Sequence, residues 1–293
     1  MKDVSAVAAP NFSRTVLNYI NVLKPRETVL LTFIGVCSSI VATAGSPAAD
    51  KFVIAFIAIL LGSGGANGLT NYLDRDLDAR MQRTCRRSLP AQKVSPPEKI
   101  LPLALGIVIV GLGLAWWLHP ICFAVGLIGT LTAVTWRKKV SCAFPQGTIA
   151  GCSPVLIGWL AFRPEFSIEL LFICFLIALW IPLHIWSIMI FSREDYLSAG
   201  IGYFPISWDV GDAIKVLLGL SWLICAASIG LYFTAGFGVL YLITALVLGT
   251  VLIGATVRLW MAGDSNDAWR VYKLSSFPYL GIIFLAMCID VWV

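Results

Sequence analysis

Apolar runs of about 17–24 residues recur along this chain, each long enough to cross roughly 30 Å of hydrocarbon at 1.5 Å per residue. Nine such spans are read, at about 28–45, 52–72, 99–117, 120–136, 147–162, 168–191, 213–234, 236–257 and 275–293. The fifth is short and rich in Gly and Pro. Composition agrees: 59% of the 293 residues are hydrophobic and 13% are charged, where soluble domains run near 45–50% and about 25%. A water-soluble fold and a disordered chain are both excluded. The expected fold class is an all-α polytopic membrane protein of about nine transmembrane helices. It forms one domain over 28–293, preceded by a polar segment 1–27 with an interfacial helix around Ser13–Leu23.

The N-terminal twenty residues lack a short apolar core followed by a small-residue cleavage site, so no removable signal peptide is expected. The eight cysteines show no CxxC spacing and mostly sit in apolar stretches, where cysteine acts as a small hydrophobe. Neither a disulfide framework nor a metal cluster is read from them.

Charge sets the topology. Of the 21 Lys and Arg residues, 19 fall on the side holding the N-terminus and the even-to-odd loops, leaving Lys51 and Arg163 opposite. That bias places the N-terminus and the long polar loops in the cytoplasm and the C-terminus outside. The net charge of +5 reports this orientation and gives no sign of nucleic-acid binding.

A positive-inside bias accounts for bases, but not for acids gathered at a helix end. The second span closes GGANGLTNYLDRDLDARMQRTCRRSLP. If the helix continues past Leu73, then Asn67, Asn71, Asp74 and Asp78 fall within about 60° of arc on one face. Asp76 points the other way, toward solvent or a neighbouring Arg. Ionisable groups at membrane depth are costly and tend to face a polar cavity. Two carboxylates one turn apart suit Mg²⁺, which completes its shell with phosphate oxygens and water. Arg83, Arg86 and Arg87 follow, and their planar forks match phosphate. The bland alternative is a solvated helix end that anchors the interface. The four-residue polar stripe followed by RTCRR favours a diphosphate site.

A second constellation closes the sixth span, in PLHIWSIMIFSREDYLSAGIGYFP. On a continuous helix His184 and Asp195 share a face, which makes Asp195 the preferred second metal carboxylate and Glu194 the fallback. His184 is either a hydrogen-bonded core histidine or an acceptor-binding residue, since neutral imidazole suits iron. Arg137, Lys138 and Lys139 lie on the same side, and Lys138 is a candidate for the diphosphate funnel.

These segments resemble the UbiA-type intramembrane prenyltransferases over most of the chain, from about Tyr19 to Asp290, and within them the heme O synthases. YINVLKPRE, with Lys24-Pro25-Arg26, resembles that family's lead into the first helix. NYLDRDLDARMQRTCRRSLP resembles its first aspartate motif, and LIGW, LHIWSIMI, SREDYLSAGIGYFP and YKLSSFPYLGIIFLAMCID resemble later landmarks. Where the family's pattern has an Asn four residues before Asp74, this chain has Thr70, with Asn67 one turn earlier.

The resemblance implies nine helices around a central cavity and Mg²⁺-dependent ionisation of a prenyl diphosphate, with farnesyl diphosphate expected. An acceptor then attacks the allylic cation. It implies that Asn71, Asp74, Asp78 and Asp195 carry the reaction, with Asp74, Asp78, Asp195 and Glu194 as metal ligands. Arg83 and Arg87 would meet the diphosphate and His184 the acceptor, heme B, with Lys138 joining the diphosphate site by the placement of its loop alone. Rival expectations keep the donor and change the acceptor to a quinone precursor or lipid alcohol, or let the cation cyclise on itself. A rival of another class is an ion-coupled transporter, which would place its acids near the midplane in broken helices.

Overall fold

The computed structural model describes residues 12–140 and 144–293, without the side chains of 137–140. A short amphipathic helix α1 (Phe12–Val22) comes first, with Phe12, Leu17 and Ile20 exposed on one side. Lys24 adopts a left-handed conformation (φ 50°, ψ 67°), and Pro25 opens α2 (Pro25–Ala42). Proline suits a first helical position, where its missing N–H has no partner to lose. There follow α3 (Ala49–Asp78), a 3₁₀ turn at Pro97–Lys99 leading into α4 (Ile100–Leu118), α5 (Pro120–Val140), α6 (Gln146–Leu160) and α7 (Ile168–Phe191). Then come the short α8 (Arg193–Ser198), α9 (Val210–Ala235), α10 (Val239–Ala262) and α11 (Ser265–Leu274). A π-helical turn over Ser275–Gly281 joins α11 to α12 (Ile282–Asp290).

Each of the nine predicted spans falls on a helix. Among the described residues, seven stretches are long and apolar enough to cross a membrane: Pro25–Ala42, Ala49–Asp78, Pro97–Leu118, Ile168–Phe191, Val210–Ala235, Val239–Ala262 and Ser265–Asp290. Pro120–Trp136 is a shorter apolar helix, and α6 has 15 residues. Nine crossings is therefore an approximate count. The last span starts ten residues earlier than its apolar run, because the polar sequence SNDAWRVYKL is helical as α11. The backbone leaves helical geometry at Ser276 (ψ −139°), just before Pro278, which has no N–H to continue the ladder.

Sequential helices pack as neighbours, α3 on α4, α5 on α6 and α9 on α10, and the contacts of α2 with α6 and α12 help close the array. Lipid offers no hydrophobic drive between helices, so close approach depends on small residues and hydrogen bonds. At the α2–α6 crossing a Cβ on Gly35 would sit 2.7 Å from the Pro154 carbonyl oxygen, and one on Gly158 would strike the Gly35 carbonyl. Ser38 donates to Val155 O at 3.0 Å and Ser39 to Gly158 O at 2.9 Å across the same seam. Hydrogen bonds between buried hydroxyls join other helices, Ser221 to Thr256 (2.8 Å) and Ser228 to Tyr279 (2.7 Å). At one end of the array, Asp290 accepts from the N–H groups of Gly238 and Tyr241 at the start of α10, and Trp292 donates to Gly45 O. The acidic loops gather at the other end.

Candidate active site

Helix α3 runs unbroken to Asp78, so the polar stripe exists as one helical face. Asn71, Asp74 and Asp78 are buried, Asp78 to 1% exposure. Asn71 donates through Nδ2 to Val22 O at 2.6 Å, tying α3 to the end of α1. Asp78 holds Arg87 in an ion pair of 3.0 Å, and its carbonyl accepts from the Thr84 hydroxyl at 2.9 Å. Arg87 is thereby folded back over the helix end. Asp76 is exposed and lies 3.8 Å from Arg75, the outward placement its spacing predicts.

The second constellation departs from the continuous helix assumed for it. Helix α7 ends at Phe191, Ser192 leaves helical geometry (φ −104°, ψ 30°), and α8 restarts at Arg193. The break carries Asp195 onto the loop after α3. Its carboxylate accepts the Gln82 N–H at 2.5 Å and the Arg83 N–H at 3.1 Å. Arg83 in turn donates to the Tyr196 hydroxyl at 3.2 Å, with its guanidinium 5.9 Å from the Tyr196 ring centroid. Glu194 lines a separate open cleft of about 910 Å³, bounded also by Arg193, Asp195 and Asp264. Arg83 borders both this cleft and the interior cavity.

The interior cavity measures about 400 Å³ and is graded in polarity. One end is lined by Lys24, Glu27, Asn67, Asp74, Arg83 and Arg87. Ala58, Ile59, Gly62, Leu112, Ala115 and Ile157 line its apolar part. Trp180, His184 and Tyr272 also line it. His184 lies between the rings of Trp180 (4.8 Å, 15°) and Tyr272 (4.4 Å, 25°). Its Nδ1 is 2.9 Å from the Ser275 hydroxyl, which itself donates to Tyr272 O at 3.0 Å. When the Ser275 hydroxyl donates to Tyr272 O, Nδ1 is the donor of this contact and Nε2 keeps its lone pair.

Several lining residues escaped the sequence reading as site residues. Lys24 and Glu27, an ion pair at 3.5 Å, were visible only as part of the KPRE landmark. Trp180 was read only as part of the sixth apolar span, and Tyr272 only as the head of the YKLSSFPYLGIIFLAMCID landmark. Gln146 follows the basic loop, and its Oε1 is buried with no hydrogen-bond partner among the described residues. The Lys138 side chain, in contrast, lies outside the described residues.

The donor set fits a divalent cation that borrows ligands from its substrate. Asp74 faces the cavity with Arg83 and Arg87 beside it, and Asp78 follows one turn on. Among the described residues no three His, Cys, Asp or Glu side chains are drawn into one cluster. Mg²⁺ typically uses one or two carboxylates and takes further oxygens from phosphate, which this arrangement matches. An amphiphile with an anionic head and a long apolar tail is the ligand shape the cavity accepts.

Comparison with known proteins points the same way. A profile described as the UbiA prenyltransferase family matches residues 29–277. A protein named protoheme IX farnesyltransferase from Desulforudis audaxviator is 37% identical over 99% of this chain and 93% of its own length. One of the same name from Korarchaeum cryptofilum is 31% identical over 91% of each chain. Among solved structures, a digeranylgeranylglyceryl phosphate synthase superposes with TM-score 0.77 at 18% identity, covering 94% of this chain and 98% of that one. A UbiA homolog from Archaeoglobus fulgidus bound to GPP and Mg²⁺ superposes with TM-score 0.66 at 13% identity, covering 94% and 100%.

Proposed function

The chain belongs to the UbiA prenyltransferase family, and from that premise we propose that it transfers the farnesyl group of farnesyl diphosphate to heme B, giving heme O. The carrying observation is the graded cavity, with Asp74, Arg83 and Arg87 at its polar end and His184 in its aromatic wall. The names of its relatives support a farnesyl donor and a heme acceptor.

In this reading Asp74 and Asp78, assisted by Asn71 and by Asp195 (or Glu194 in its place), hold Mg²⁺. Bound there, Mg²⁺ would supply charge neutralisation to the diphosphate and so improve it as a leaving group. Arg83, Arg87 and Lys138 hold charge on the departing diphosphate, where the largest electrostatic change of the reaction occurs. The apolar walls keep water from the farnesyl cation, and nearby aromatic faces stabilise positive charge. The C1–oxygen bond to diphosphate breaks to give the allylic cation, and the terminal carbon of a heme vinyl group attacks its C1. Water adds to the other vinyl carbon and releases a proton, leaving a hydroxyethylfarnesyl side chain. His184 holds or orients the heme. The active-site loops face the cytoplasm of a prokaryotic cell, with 28–293 acting as one catalytic domain and 1–27 as an interfacial lead.

Turnover of the purified protein with Mg²⁺, farnesyl diphosphate and heme B is the test, read as diphosphate release and heme mass. The expected product is heme heavier by a farnesyl group plus water. Diphosphate release with unmodified heme would overturn the acceptor and direct attention to aromatic rings. No release from any prenyl diphosphate would overturn the whole reading.

A further inference from the structure

The apolar half of the cavity carries a dimension that a prenyl donor must match. Along α3 the lining descends from Asp74 through Thr70, Asn67 and Ser63 to Gly62, Ile59 and Ala58. Twelve helical residues separate Asp74 from Gly62, an axial distance of about 18 Å. Gly62 borders the cavity, and a Cβ built on it meets no atom within 4 Å. The neighbouring Gly111 differs: its Cβ would press on Gly62 N at 2.7 Å and on Ala58 O at 3.0 Å, so it is spent on the α3–α4 contact. Gly126 is likewise closed in by Leu112 and Ile157, at 3.2 and 3.3 Å. Of these three lining glycines, Gly62 is the one whose missing side chain leaves open space.

An extended carbon chain with bonds near 1.5 Å advances about 1.3 Å per bond. The main chain of a farnesyl group therefore reaches about 14 Å from C1, a geranyl group about 9 Å and a geranylgeranyl group about 19 Å. With the diphosphate held at Asp74 and Arg87, C1 starts a few ångströms inside the cavity. The third isoprene unit then arrives level with Gly62, and a geranyl tail stops short of it.

We propose that Gly62 is a specificity-determining residue, whose absent side chain makes room for the third isoprene unit of the donor. The proposal rests on the prenyl-transfer reading and specifies the tail length that the site accepts.

The test is a Gly62→Ala, Gly62→Leu and Gly62→Phe series in the full-length protein. Its readouts are Mg²⁺-dependent diphosphate release and competitive binding of geranyl and farnesyl thiolodiphosphates. One methylene in an apolar pocket is worth about 10–200-fold in discrimination. Gly62→Phe is expected to lower the preference for farnesyl over geranyl donor at least about tenfold, with Gly62→Ala intermediate and geranyl binding within about threefold of wild type. Gly113→Phe adds the same bulk at an exposed helix position whose Cβ also meets nothing, and is expected to leave the preference unchanged. Farnesyl-to-geranyl ratios that stay at the wild-type value in a folded Gly62→Phe protein overturn the proposal while leaving prenyl transfer intact. Binding of neither analogue by the wild-type protein overturns both. Analogue binding with unmodified heme removes only the acceptor, and the series still reports on Gly62.

Discussion

Asp195 accepts hydrogen bonds from two consecutive backbone N–H groups, those of Gln82 and Arg83, at 2.5 and 3.1 Å. One carboxylate on α8 thus pins the loop that follows α3, and with it the guanidinium that borders both the cavity and the outer cleft. Hydrogen bonds to a charged acceptor contribute about 1.5–3 kcal/mol each when well formed. A residue serving only as a metal ligand would make no such contribution to the fold before substrate arrives. Asp195→Ala is therefore expected to lower thermal stability measurably, by about 1–3 kcal/mol, as well as turnover. An unchanged melting temperature without Mg²⁺ or substrate would remove the loop-pinning role.

Asp78 and Arg87 form a second linkage of this kind. The carboxylate is 1% exposed and the guanidinium about a third exposed, so removing Arg87 strips a buried charge of a principal partner. Breaking such a pair costs more than replacing it whole. Arg87→Ala should therefore destabilise the protein more than the Asp78→Asn, Arg87→Ala double variant does. The double-mutant cycle is expected to give a coupling of about 1–3 kcal/mol. Additive effects in denaturation of the detergent-solubilised protein would argue that the pair is only a surface contact.

The first cluster was legible because a single period governs it: α3 stays helical to Asp78, so spacing alone set Asn67, Asn71, Asp74 and Asp78 on one face. Hydropathy likewise placed every long span. The second cluster was less legible because one residue, Ser192, breaks the helix between His184 and Asp195, and no local pattern announces it. Helix α11 was missed for a different reason. Its polar face supports the buried Asp267, which is paired with Arg258 at 3.1 Å and Arg270 at 2.7 Å, and a hydropathy reading treats such a segment as loop. The partners that occupy Asn71 and Asp78 depend on Val22 and on a turn that brings Arg87 back, which are tertiary facts.

The α2–α6 seam offers a prediction about the scaffold. A side chain on Gly158 would meet the carbonyl of Gly35, and backbone cannot move aside as a flexible side chain can. Gly158→Leu is expected to cost about 3 kcal/mol or more by overpacking and to reduce the yield of folded protein. Gly254→Leu, at an exposed position whose Cβ meets nothing, should be tolerated. Equal melting temperatures and yields for the two variants would show that the seam relaxes.

Asp74 lies at the polar end of the cavity beside Arg83 and Arg87. Replacing it with Asn keeps the shape and removes the charge that would face a cation. Loss of a group acting mainly on the transition state lowers kcat and kcat/KM together. Asp74→Asn is expected to reduce turnover at least about a hundredfold, a loss of the size seen when one electrostatic stabiliser is removed. Near-wild-type rates at saturating Mg²⁺ would sink the metal assignment.

His184 is held by stacking on Trp180 and Tyr272 and by Ser275 at Nδ1. That environment fixes the ring and occupies Nδ1 in the contact with Ser275, leaving Nε2 as the nitrogen able to meet an iron. Partners that orient a ligating histidine typically contribute about 10–100-fold to metal affinity. Ser275→Ala is therefore expected to weaken heme binding about tenfold, and His184→Ala by at least as much. Farnesyl analogue binding should stay unchanged in both. Heme titrations followed at the Soret band separate the readings. If His184→Ala binds heme as the wild type does, the imidazole belongs to the aromatic packing of α7 against α11 and the heme is held by other groups.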